Sequence, residues 1–143
     1  MRALRKIDLR VAGWIALGFY AATILVHVLV LSGVIPLAWI NGGRSATLDA
    51  QLPLSVANLV IAVIGAIFVV FASGIVGNGA ARWYRVVAWV FTLLWIVGLV
   101  QQLLGTVFEQ TTLVFLLLIG ALSHLRIAVG EARAHSRTSH RLE

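Results

Sequence analysis

VAGWIALGFYAATILVHVLVLSGV, residues 11–34, is a run of 24 residues without one charged side chain. A bilayer core about 30 Å thick needs about 20 apolar residues in a helix. The run does not alternate polar and apolar residues as a barrel strand does. A helix satisfies its own backbone in lipid, so a membrane-spanning helix is the form expected, ending where Ile35-Pro36 breaks the pattern. Three further runs read the same way: 54–77, 86–107 and 112–130. Pro53 stands where a first helical turn would hold it without losing a needed amide. The fold class predicted is therefore all-α, a polytopic membrane protein built as a four-helix up-down-up-down bundle and forming a single membrane domain over 1–143.

Composition agrees with that reading. The chain has 143 residues, 61% hydrophobic and 11% charged, with a mean hydropathy of +1.01. Soluble domains run at about 45–50% apolar and about 25% charged, so water is not the main solvent of this chain. The same figures exclude disorder. A net charge of +6 does not make a nucleic-acid surface, because the basic residues lie in short patches between apolar runs. The absence of cysteine removes disulfides and thiolate chemistry together.

Orientation follows from the basic residues. Arg2, Arg5, Lys6 and Arg10 precede the first helix; Arg82 and Arg85 lie in the second connection; Arg126, Arg133, Arg137 and Arg141 lie at the end of the fourth helix and in the tail 131–143. Ten of eleven thus fall on one side, with Arg44 alone on the other. The positive-inside rule places both termini in the cytoplasm, with Trp83 and Tyr84 at the inner interface and Trp39 at the outer one. Leu4, Ile7 and Val11 form a stripe that suits an interfacial turn on anionic lipid. The first run is too long for a cleaved signal peptide and no small-x-small site follows it. Leu142-Glu143 resembles a cloning scar and carries no functional reading.

Short connections favour antiparallel neighbours, as in a simple bundle. The 35–53 connection is different. It is long enough to be functional, it contains the turn signal Asn41-Gly42-Gly43, and Ser45 to Gln51 could form a brief helix along the outer surface. Ala62 and Ala66, Ser73 and Gly77, and Gly98 and Gly105 recur at spacings that suit close helix packing in lipid.

Polar residues within a membrane carry the functional information. At 1.5 Å per residue, His27 lies roughly 10 Å deep from the outer side, Asn58 roughly 6 Å, and Gln101 and Gln102 roughly 8–9 Å. These levels coincide within a helical turn, and Glu109, Gln110, Arg44, Asp49 and Gln51 lie just beyond them. The sharp reading is a polar pocket roofed by the 35–53 loop, with His27, Arg44, Asn58, Gln101 and Glu109 as ligand-binding residues. Arg44 would hold an anionic or carbonyl group through its fork, and His27 could pass a proton, an imidazole's ordinary pKa lying near working pH. An Arg44–Glu109 salt bridge would pin the loop. The competing reading has these side chains bonding across helices to hold the bundle, at roughly 0.6–2 kcal/mol per bond.

His27 and His124 raise the question of a haem, but their depths differ by roughly 8 Å, which would tilt the porphyrin awkwardly. His124 is better read as bonding a backbone carbonyl or the neighbourhood of Ser123, so no cofactor and no metal is expected. No nucleophile–base pair, paired carboxylates or phosphate loop appears, and Ser45 and Ser55 read as helix caps.

Gly33-Val34-Ile35-Pro36-Leu37-Ala38-Trp39-Ile40-Asn41-Gly42-Gly43-Arg44 resembles a segment of uncharacterised small bacterial four-helix inner-membrane proteins. Those proteins likewise carry a histidine in the first helix, close the loop on Gly-Gly-Arg, and follow it with an amide or acid and an asparagine, here Gln51 and Asn58. The resemblance implies a bacterial inner membrane and adds weight to His27, Arg44 and Asn58, without supplying a chemistry. Three functions stay open: a non-enzymatic protein binding a lipid, small ligand or partner protein through its outer pocket; a protomer of an oligomeric transporter or channel; and a membrane enzyme acting on a lipid or quinone, with His27 and Glu109 handling protons. Membrane lipids, self-association or another membrane protein are the partners expected.

Overall fold

A computed structural model of the chain describes residues 4, 6–77, 79 and 81–130. Among these residues there are four long helices and no strand. Helix α1 spans Leu9–Leu31, α2 Leu48–Ala72 and α3 Arg82–Leu103; α4 opens in a π-helical turn, Glu109–Leu113, and continues through Val114–Val129. The spans are 23, 25, 22 and 21 residues, each apolar and long enough to cross a bilayer. The chain is thus an all-helical, multi-pass membrane protein. The tail 131–143, Arg2 and Arg5 lie outside the described residues, whereas Leu4, Ile7 and Val11 of the expected interfacial stripe lie within them.

Each helix begins before its apolar run, and for α1, α2 and α4 polar caps set the start, whereas α3 starts at Arg82 behind Ala81 with no side-chain cap. The Asp8 carboxylate accepts the Arg10 N–H at 2.7 Å, and the Thr47 hydroxyl accepts the Ala50 N–H at 3.3 Å. Thr106 and Glu109 form a capping box: Glu109 Oε2 takes the Thr106 N–H at 2.7 Å while Thr106 Oγ1 takes the Glu109 N–H at 3.4 Å. Helix α2 therefore starts six residues before the expected Leu54. Leu48–Gln51 form its first turn instead of a separate surface helix, and Pro53 sits inside it. There the ring leaves the Asp49 carbonyl without its usual donor four residues on.

The helices also stop early. Gly33, at φ 77°, lets the Val34 N–H return to the Leu29 carbonyl and closes α1 at Leu31, three residues before the expected Val34. Gly74, at φ 72°, does the same service for α2.

Helix α1 packs along α2 and α4, and α3 packs along α4, whereas α2 and α3 scarcely touch. In the order α2–α1–α4–α3 the ring of helices is left open on one side. One aromatic cluster fills the half of the bundle towards the chain ends: Phe19, Tyr20, Phe68, Phe91 and Trp95 surround His124, which is fully buried. Phe68 stacks on Phe91 at 5.4 Å and meets Tyr84 at 6.1 Å, joining α2 to α3 at this end. Close approach depends on glycines that the spacing argument did not single out. A Cβ on Gly65 would lie 2.1 Å from the Tyr20 hydroxyl, and one on Gly120 would lie 2.8 Å from the Phe19 ring. Gly105 falls outside α3, beside the Glu109 carboxylate.

Candidate functional site

The 32–47 loop is shaped by three successive left-handed residues, Asn41, Gly42 and Gly43, with φ of 52°, 63° and 70°. Asparagine and glycine are the residues that adopt this conformation at least cost, which is why Asn-Gly-Gly stands here. The turn aims the Gly42 N–H at Glu109 Oε2, 3.0 Å away. Thr106 Oγ1 also donates to the Trp39 carbonyl, and the Trp39 and Phe108 rings lie 5.7 Å apart. The loop is thereby fastened to the start of α4.

This arrangement corrects the expected Arg44–Glu109 salt bridge. Glu109 is 2% exposed, and its bonded oxygen is taken by two backbone N–H groups, those of Gly42 and Thr106. Glu109 does hold the loop, but through Gly42. Arg44 is exposed and, among the described residues, forms no ion pair. Gln110, expected on the connection, lies in the first turns of α4 and donates to the Leu103 and Gly105 carbonyls at the end of α3.

A second chain of bonds runs from the loop into the membrane half of the bundle. Asn41 Nδ2 donates to Ser45 Oγ at 3.0 Å, Ser45 Oγ to Gln51 Oε1 at 2.7 Å, and Gln51 Nε2 to Ser55 Oγ at 3.0 Å. Ser55 Oγ meets His27 Nδ1 at 3.3 Å. Ser55 Oγ, with one donor and two acceptor sites, accepts from Gln51 and still has both a proton and a lone pair to offer, so the contact with His27 Nδ1 suits either neutral tautomer of the imidazole. Ser45, Gln51 and Ser55 are all buried, and the spacing of Gln51 and Ser55, four apart on one helical face, is the signal in the sequence that points to their pairing.

Beneath the loop lies a cavity of about 500 Å³ bounded by all four helices. His27, Arg44, Asn58, Gln101 and Glu109 all line it, together with Gln102. The residues that the depth argument placed at one level are therefore brought to one space. Their bonding differs. His27 and Glu109 are tied into the protein, whereas the side chains of Asn58 and Gln101 make no hydrogen bond to another described residue. The Gln102 Oε1 atom is buried with no partner. Deeper in the bundle the lining turns apolar, with Ile61, Leu94, Trp95, Leu116 and Leu117.

His124 does not share this space. Its Nδ1–H donates to the Gly120 carbonyl at 2.8 Å, so Nε2 is the acceptor for the Tyr20 hydroxyl, also at 2.8 Å. Both ring nitrogens are spent on the protein, which leaves no lone pair for iron and makes His124 a core residue. Among the described residues no group of three or more His, Cys, Asp or Glu side chains could hold a metal ion. Buried Arg126 serves the chain ends, its Nε donating to the Ile7 carbonyl at 2.7 Å.

Fold and site together define a multi-pass membrane protein with a half-polar cavity at the loop end of its bundle. No family model, no curated protein and no solved structure matches the chain.

Proposed function

We propose that the protein is a small integral membrane protein, inserted with both termini in the cytoplasm, that binds a ligand bearing anionic or carbonyl oxygens in the loop-end cavity. The observation that carries this reading is a cluster of unused polar groups around one cavity: the Asn58 and Gln101 amides at one depth and the Arg44 guanidinium in the loop above them, none bonded to a described residue. Polar side chains kept at membrane depth without protein partners are costly. The cost is accounted for if a ligand supplies the missing bonds. Arg44 offers five donors in a fork that matches two oxygens, and His27 lines the same space. The reading is of binding without turnover, since Glu109 is committed to backbone amides and His27 to Ser55.

The setting proposed is a bacterial inner membrane, as the Pro36-to-Arg44 resemblance implies, and the first partner is the lipid around the helices. The proposal is tested by thermal unfolding of the detergent-solubilised protein against a panel of oxyanion-bearing and neutral amphiphiles. Oxyanion compounds should raise the melting temperature of the wild type and leave Arg44→Ala unmoved. Equal shifts in both proteins would overturn it.

A further inference from the structure

We infer that the cavity takes a single-chain amphiphile with an anionic head, which reaches it sideways from the bilayer through the gap between α2 and α3, an inference that rests on the binding reading above and adds to it the chain and the route.

The gap is where the ring of helices fails to close. Helices α2 and α3 meet through Phe68, Tyr84 and Phe91 towards the chain ends and scarcely touch elsewhere. Towards the loop, Leu54 and Asn58 of α2 line the cavity opposite Val97 and Gln101 of α3, and all four are exposed. At that level the surroundings of a spanning helix are acyl chains, so the opening faces lipid. At the loop end Ile40 and Gly42 line the cavity, and Glu109 and Thr106 fasten that loop to the start of α4.

The lining is graded as an amphiphile is. Gln101 at the polar end and Leu94 at the apolar end are seven residues apart on α3, roughly 10 Å along the axis. The head belongs with Arg44. Glu109 is engaged by Gly42 and Thr106, so no carboxylate of the described residues neutralises that guanidinium. An unpaired cation at a membrane boundary favours an anion over a neutral or cationic head. A cavity of about 500 Å³ lies within the range that encloses one drug-sized molecule, which suits one chain and not two. A carboxylate and a phosphate present the same anionic oxygens to Arg44, and the experiment separates them.

The protein in nanodiscs of a neutral two-chain lipid is photolabelled with a diazirine fatty acid or a diazirine lysophosphatidylglycerol, with acetate or glycerol phosphate as chain-free competitors. Saturable labelling of peptides covering 54–61 and 94–101 is expected with at least one probe, and the probe that labels identifies the head as carboxylate or phosphate. Arg44→Ala should weaken labelling about tenfold, the loss of one charge-assisted bond. Asn58→Trp and Val97→Trp, on the two sides of the gap, should each block it. Both replace exposed residues, and an unchanged circular dichroism melt separates a blocked gap from a misfolded protein. Full labelling in both tryptophan variants would overturn the sideways route. Displacement by acetate or glycerol phosphate as effective as that by the chain-bearing compounds would overturn the amphiphile and leave the anion-binding reading standing. Labelling that never saturates with either probe, unchanged by Arg44→Ala, would overturn both.

Discussion

The Glu109 carboxylate receives the backbone N–H of Gly42, 67 residues earlier in the chain, at 3.0 Å, and the same oxygen receives the Thr106 N–H at 2.7 Å. One buried acid therefore starts a helix and fastens a loop. It is also why Arg44 is left to face the cavity without a carboxylate. Glu109→Ala should cost about 1–3 kcal/mol, because two backbone donors lose a charged acceptor. Glu109→Gln, which keeps an oxygen at the site, should cost less. Thermal unfolding gives the order of the three proteins, and limited proteolysis should show cleavage within 35–47 appearing first in Glu109→Ala.

Helix contact in lipid rests on packing, not on water exclusion, so the glycines at the closest approaches should be the least replaceable. Gly65→Ala would press a methyl group into the Tyr20 phenol, whereas a Cβ on Gly18 meets nothing within 4 Å. Overpacking of this kind costs about 1–3 kcal/mol. A lowered melting temperature is expected for Gly65→Ala and none for Gly18→Ala. Equal melts would show that α1 and α2 do not approach as described.

The relay from Asn41 to His27 passes through Gln51, which both accepts from Ser45 and donates to Ser55. Gln51→Leu keeps the bulk and removes both bonds, leaving two buried hydroxyls short of a partner. A loss of about 1–3 kcal/mol is expected from such orphaned groups. Ser55→Ala, which removes one hydroxyl and its partners' bonds together, should also free His27 Nδ1. The imidazole carbon and nitrogen shifts of His27, read by NMR, should then report a changed tautomer population while those of His124 stay fixed.

The chain's lack of cysteine makes its orientation directly measurable. Ala46→Cys, in the loop, should react with an impermeant maleimide added outside intact cells. Ser136→Cys, in the basic tail, should react only after the membrane is opened. The reverse pattern would place the cavity at the cytoplasmic face.

What the sequence disclosed follows the physics that sequence can carry. The four helices were legible because each apolar run alone satisfies the bilayer's length requirement. The common level of His27, Asn58 and Gln101 was legible because depth is rise multiplied by position. The helix starts were not, because hydropathy passes over polar caps such as Asp8 and Thr47, although Thr106-x-x-Glu109 stands in the sequence as a capping box. The pairing of Arg44 with Glu109 failed for a related reason. Opposite charges suggest one another in a sequence, but a left-handed Asn41-Gly42-Gly43 turn brings a backbone N–H to the acid first. Neighbour order was hidden as well, since a short connection, read as 78–85 from the sequence, does not show that α2 and α3 stand apart.

Whether the loop-end cavity holds an oxygen-bearing ligand on Arg44 is read out by native mass spectrometry of the protein released from nanodiscs. A reproducible retained mass is expected on the wild-type protein, lost or sharply reduced in Arg44→Ala. Bare protein in both samples, or the same retained mass on both, would contradict it.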